Sequence, residues 1–311
     1  MLNIILSFLM IVSIKLHADD GLGGCLKVIS ENEDYTHCLS KVSTYPEPVH
    51  VYIPKKLDRK KPINLNIHFH GHNLAGYDHF DKKHGDYGDF LSKGNSNSVL
   101  VIPESKGNCA TYDKFFKASE DSFEFIKSSK NLFAPLEVKS LTLSGHSGAY
   151  RVLNTLLGHP KLEENIKIPV KGVALFDATY GQTINIEDFA LKKLREGSPF
   201  LFFDSYVSGK KATAEALSLS LKQKIEKMSL IPDNNIIQAN QDCLKNIAIS
   251  NIDSKLNSLS FPALKYLIDS RFKFAPLPSN AFPENSTVLD LHFGILKAHG
   301  LTEFFEDLNS L

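Results

Sequence analysis

The chain of 311 residues is 42% hydrophobic and 23% charged, which is ordinary globular usage with enough length to bury a substantial core. Thirty-five Lys and Arg balance thirty-five Asp and Glu, so no global field recruits nucleic acid or an anionic membrane surface. A small or neutral partner suits that balance, and no repeat or low-complexity stretch interrupts the chain.

Ile4 to Ile14 is almost wholly apolar and leads through Lys15-Leu16-His17-Ala18 to Asp19-Asp20. This pattern predicts a signal peptide over residues 1–18, since the run falls short of the ~20 apolar residues of a membrane-spanning helix. Stable membrane insertion is therefore not expected, and the domain spanning 19–311 is expected to be exported, to the periplasm or beyond the cell. Leu22-Gly23-Gly24-Cys25 has the look of a lipoprotein processing site, but Asp19 and Asp20 separate it from the apolar run. Export favours oxidised cysteines over metal-bound ones. Of three pairings open to four cysteines, Cys25 with Cys38 closes a short loop and leaves Cys109 with Cys243 to join distant segments. Free buried thiols are the alternative.

Pro48 to Ile53 alternates in strand fashion, and Ile63 to Phe69 does so again, with His68 and His70 expected on one face. Ser98–Pro103, Leu141–Ser144, Val170–Phe176 and Phe200–Phe203 are short apolar runs bounded by polar or turn residues, as strands buried on both faces require. Helical stretches separate them at Lys114–Ser129, Ala149–Leu157, Ile186–Arg195 and Thr213–Met228. The alternation predicts an α/β fold with a mostly parallel central sheet covered by helices, the first strands being the place for an antiparallel exception. Residues 240–285 break the alternation and carry Pro262, Pro276, Pro278 and Pro283, so they are expected to form an insertion or lid, helical over Ala263–Ile268. Ile236–Ala239 precedes it as a candidate strand that would bring Cys243 near Cys109.

Leu141-Thr142-Leu143-Ser144-Gly145-His146-Ser147-Gly148-Ala149 is a strand running into a helix with a serine at the corner. A sharp strand-to-helix turn strains the serine and crowds its neighbours, so small residues must flank it. The hydroxyl then stands at a helix N-terminus, where backbone N–H groups favour developing negative charge. The bare string is common; its position between an apolar strand and a helix is what makes it specific.

Upstream, Ile67-His68-Phe69-His70-Gly71-His72-Asn73 ends a strand in a His-Gly turn. Together with the serine corner, this segment resembles the oxyanion-hole segment of α/β-hydrolases. The resemblance runs from about Pro48 to the C-terminus and includes Phe176-Asp177-Ala178-Thr179-Tyr180-Gly181, similar to exported bacterial hydrolases. It implies the α/β-hydrolase fold, helices on both faces of the sheet, Ser147 as nucleophile, and an oxyanion hole made of the backbone N–H groups of His72 and Gly148. Ala149 in place of the usual last Gly and the long segment before His292 depart from the family pattern.

The triad order of the family is Ser, Asp, His. Asp177 and Asp204 both stand at expected strand ends; Asp177 is preferred, because Asp204 follows its strand without the usual intervening turn. Either is also a natural turn cap. Val288-Leu289-Asp290-Leu291-His292 ends an apolar run before the last helix and resembles the family's terminal His loop, so His292 is the preferred base. His299, next to Gly300, is the alternative. The reading is a serine hydrolase of carboxylic esters, possible also for amides, without a cofactor and with a small-molecule or polymer-derived ester as partner. Two rivals remain open at this point. His68, His70 and His72, with His79 and His84 nearby, are a candidate metal cluster, although the order lacks the His-x-His-x-Asp-His pattern of metallo-β-lactamase-like enzymes. A non-catalytic binding protein on the same fold is the other.

Overall fold

The computed structural model describes residues 24–42, 44–72, 87–94, 97–196, 200–209, 212–229, 272–277, 286, 288–296 and 301–309. Its strands are β1 Lys27–Glu31, β2 Tyr35–Ser40, β3 Val49–Pro54, β4 Ile63–Phe69, β5 Ser98–Pro103, β6 Val138–His146, β7 Val170–Phe176, β8 Leu201–Val207 and β9 Phe272–Leu277. Among the described residues these form one sheet in the order β1-β2-β3-β5-β4-β6-β7-β8-β9. The pairs β1–β2, β2–β3 and β3–β5 are antiparallel, and every pair from β5 to β9 is parallel. The central register aligns Ile67 with Leu143, Leu143 with Val173 and Val173 with Phe202, so the apolar runs seen in the sequence stack side by side.

The helices are α1 Tyr87–Lys93, α2 Ala110–Phe115, α3 Ser119–Asn131, α4 Tyr150–Gly158, α5 Leu162–Ile166, α6 Ile184–Glu196, α7 Ala212–Ser229, α8 Val288–Ile295 and α9 Leu301–Asn309. Strand side chains alternate between two buried layers. Leu65, Ile67, Leu143, Val173, Leu175 and Phe202 join one layer, which takes in Leu153, Leu156, Ala190 and Leu221 from α4, α6 and α7. Leu100, Ile102, Ala174, Phe176 and Phe203 join the other, beneath Leu291 and Ile295 of α8 and Phe304 and Phe305 of α9. Both faces of the parallel part are therefore covered, which explains why its strands read as unbroken apolar runs.

Several sequence expectations need correction. The single helix expected over Lys114–Ser129 is two, because the chain turns out at Ala118 in extended conformation before α3 starts. Ser122 Oγ closes that break by donating to the carbonyls of Phe116 and Ala118 at 3.3 and 3.0 Å. The run ending at Phe203 continues to Val207, so Asp204 lies inside β8 rather than at its end. Part of the expected 240–285 lid is β9, the sheet's outermost parallel strand. Cys25 and Cys38 form a disulfide with Cα atoms 5.7 Å apart. Cys109 carries a free, buried thiol, and Cys243, the partner expected for it, lies outside the described residues. Residues 1–18, 230–271, Asn73, His79, His84, Cys243 and His299 lie outside the described residues. Among those described, no helix is long and apolar enough to cross a membrane.

Helix α9 is held to the sheet by Phe304, fully buried, with its ring 6.3 Å from Phe176 and 5.9 Å from Phe203. Gly172 beneath it leaves the space the ring fills, since a Cβ there would stand 3.1 Å from Phe304 Cζ. Phe304→Ala should lower the unfolding free energy by about 3–4 kcal/mol in urea titrations, against about 1 kcal/mol for Phe304→Leu. Equal losses for the two would show that the ring is not packed as described.

Candidate active site

The corner after β6 is tight. His146 is still extended at φ −110°, and Ser147 then swings to φ +55°, a left-handed conformation that costs a non-glycine residue on the order of 1 kcal/mol or more. A short 3₁₀ turn, Ser147–Ala149, leads into α4, whose buried Val152, Leu153, Leu156 and Leu157 anchor the far side of the turn. Glycine is required at two approaches. At Gly71 a Cβ would lie 2.8 Å from Ser147 Cβ, and at Gly148 it would lie 2.1 Å from His72 Nε2. The turn after β4 thus runs directly against the serine corner, and the His72 ring covers Gly148. Ser147 itself is half-buried and accessible.

That turn is fixed from behind. His70 donates from Nδ1 to the Gly71 carbonyl at 2.7 Å, and its Nε2 accepts the Ser105 N–H at 2.9 Å. Arg151, in the first turn of α4, donates to His72 Nε2 at 3.3 Å and to the Asn108 carbonyl at 2.7 Å, and pairs with Asp113 at 3.1 Å. Burial first and the Arg151 charge second hold the His72 imidazole below its ordinary pKa, so it is neutral with its proton on Nδ1. The backbone N–H groups of Gly148 and Ala149 belong to the first turn of a helix, where no intrahelical acceptor exists.

Asp177 follows β7 at φ +43°, with its own N–H bonded to the Ser205 carbonyl at 2.6 Å. Its fully buried carboxylate meets His292 Nδ1 at 2.5 Å through Oδ2, and the same oxygen accepts the Tyr180 hydroxyl at 2.8 Å. His292 lies within α8, not on the terminal loop that the resemblance implies, and Leu291, Ile295 and Leu296 bury that helix against the sheet. Its ring packs against that of His146, the residue before Ser147, with centroids 4.4 Å apart and planes tilted by 33°. His146 Nε2 donates to the His292 carbonyl at 2.9 Å, which ties α8 to the end of β6. Acid, imidazole and serine corner are brought to the carboxyl ends of β7 and β6, where ligands gather in open α/β sheets.

No family model and no curated protein matches this sequence. Solved structures do match. One described as a thermostable esterase superposes with a TM-score of 0.52 at 11% identity, over 89% of this chain and 63% of that one. The structure of FAE superposes with a TM-score of 0.52 at 13% identity, over 93% of each chain. The chain has the α/β-hydrolase fold. At such identities the likeness is one of fold.

Within the α/β-hydrolase fold, the carboxylate that meets the imidazole is the one after β7, and Asp204 on β8 stands apart. Asp204 is fully buried toward α7, and neither of its oxygens makes a hydrogen bond of normal geometry. The nearby Ser218 hydroxyl is engaged with Thr179 at 2.6 Å and relieves it only in part. Burial, with the Asp177 charge adding, pushes the Asp204 carboxyl up to about 7.

Of the candidate metal ligands, the described His68, His70 and His72 do not converge. His68 points toward Tyr87 and Phe176, with Nδ1 on the Ser144 hydroxyl at 2.9 Å and Nε2 near Tyr87. His70, past the end of β4, turns instead toward Tyr112 on the other side of the sheet, so the shared face expected for the two is not observed. Burial lowers His68 to about 3 and His70 to about 4, and both remain neutral as structural hydrogen-bonding groups. The Cys109 thiol, pushed up to about 12 by burial, lies 3.7 Å from the His70 carbonyl. His146, Arg151 and Tyr180 flank the sequence motifs without any spacing that assigns them a part; in the structure their polar atoms brace the corner, the His-Gly turn and the acid.

Asp204 binds its proton more tightly in the folded state, so its contribution to stability falls as pH rises from 3.8 through about 7. At pH 8, Asp204→Asn should therefore raise the unfolding free energy by roughly 2–4 kcal/mol, with little change at pH 4. Urea unfolding at the two pH values checks this; an effect independent of pH would contradict the buried, proton-holding carboxyl.

Proposed function

We propose that this protein is a serine hydrolase of carboxylic esters in which Ser147, His292 and Asp177 act as the triad. The observation that carries the reading is the buried 2.5 Å contact of Asp177 Oδ2 with His292 Nδ1, packed through His146 against a serine held at φ +55°. With Nδ1 committed to the carboxylate, Nε2 is the nitrogen that takes the Ser147 proton. The serine oxygen attacks the ester carbonyl, and the tetrahedral oxyanion is met by the N–H groups of His72 and Gly148. His292 then gives the proton to the departing alkoxide, which leaves as the alcohol. Water, deprotonated by His292, attacks the acyl-enzyme and releases the carboxylic acid and Ser147.

Asp177 holds the imidazole in the Nδ1–H tautomer and stabilises the imidazolium formed in each step. Neutral His70 and His72 fit this reading better than metal ligation, since the nitrogens of His70 and Nε2 of His72 are already engaged by the protein. Ester cleavage is preferred to amide cleavage, and the substrate is a small-molecule or polymer-derived ester. Export through a signal peptide over 1–18 completes the proposal, and the Cys25–Cys38 disulfide accords with an oxidising compartment.

Steady-state hydrolysis of p-nitrophenyl acetate tests the triad. Ser147→Ala and His292→Ala should each lower kcat by on the order of 10⁴-fold or more, and the double variant should be no worse than either single one. Additive losses, or full activity in Ser147→Ala, would refute a shared mechanism, and no turnover by the intact chain on any acyl ester would favour a binding protein on this fold.

A further inference from the structure

On the basis of the proposed triad, we infer that Tyr180 is a positioning residue of the acid–base pair, its hydroxyl fixing the Asp177 oxygen that His292 uses. Tyr180 lies three residues after Asp177, and its OH reaches Oδ2 at 2.8 Å while standing 3.3 Å from His292 Nδ1. Two donors therefore converge on one carboxylate oxygen. Burial and the Asp177 charge raise the phenol well above its ordinary range, so it remains a donor wherever the triad could work.

The tyrosine is itself held. Its ring stands edge-on to His292 at 6.2 Å and 6.5 Å from Tyr150, three residues beyond the nucleophile. Gly181 lets Tyr150 close on this turn, since a Cβ there would meet the Tyr150 hydroxyl at 2.5 Å. The 177–181 turn is thus latched to α4, and the latch ends in a hydrogen bond to the acid. Asp177 is confined to φ +43° with its carboxylate away from water, so its rotamer depends on the donors around it.

Two consequences follow. The hydroxyl orients Oδ2 toward Nδ1, and it withdraws charge from that oxygen. Without it the carboxylate is more basic and favours the imidazolium, so the acid limb of the rate profile moves to higher pH. Among the described residues, the other titratable groups that act on the pair are His146 from β6, His72 from the turn after β4 and, through its charge on Asp177, Asp204 from β8. All three are retained in Tyr180→Phe, so a change in the profile reports the hydroxyl.

Tyr180→Phe in the full chain should lower kcat for p-nitrophenyl acetate roughly tenfold with KM within about twofold, and raise the acid limb of kcat/KM by about half a pH unit. Its Tm should remain close to that of the parent. Independently of turnover, the low-field proton resonance of a carboxylate-bound imidazole, identified by its loss in His292→Gln, should shift in Tyr180→Phe. An unchanged profile and an unmoved resonance, with hydrolysis still abolished by Ser147→Ala, would overturn the role of Tyr180 and leave the triad standing. Hydrolysis indifferent to Ser147→Ala would remove the triad, while a shifted resonance would still support the Tyr180 contact.

Discussion

The contact between Asp177 and His292 joins residues 115 positions apart, and much of the site's architecture serves it. A carboxylate withdrawn from water is costly unless charge-assisted donors replace the lost hydration. Here the imidazole and the Tyr180 phenol supply them. The imidazole arrives because α8 is buried against the sheet through Leu291 and Ile295, beside α9. Loosening that apolar layer would move the imidazole away from both the acid and the serine corner.

The same site stores backbone strain at two points, Ser147 and Asp177, both non-glycine residues at positive φ. Each follows immediately on a central parallel strand, β6 or β7, whose ladder over-determines where the next residue goes. Strain of this kind persists only in such settings. The nearby glycines act through volume instead, since Gly71 and Gly148 leave the space in which the His-Gly turn and the His72 ring close on the corner.

The central strands are legible in the sequence because they are buried on both faces and read as apolar runs, and the serine corner is legible because its neighbours are forced to be small. β1 and β2 are hidden for the opposite reason. KVISE is an edge strand with partly exposed side chains, and YTHCLS buries His37 and Ser40 in place of the aliphatic residues that mark a strand. β9 carries Pro276 in a proline-rich stretch and so resembles part of an insertion; a proline is tolerated there because, among the described residues, the strand lies at the sheet's edge. His292 sits in an apolar run too short for its period to separate strand from helix, so the sequence points to its partner but not to its place on α8. The acid is distinguishable only in part. Asp204 has the look of a strand-end residue although β8 runs three residues further, and no sequence signal shows that its carboxyl faces α7.

The central claim is that Ser147 is the activated nucleophile of the Asp177–His292 pair. Its most direct test is to treat the folded protein with a fluorophosphonate and locate the adduct by peptide mass mapping. The account predicts a single stoichiometric adduct on Ser147 whose formation slows sharply in Asp177→Asn. An intact protein that takes no label, or takes it on another residue, would contradict it.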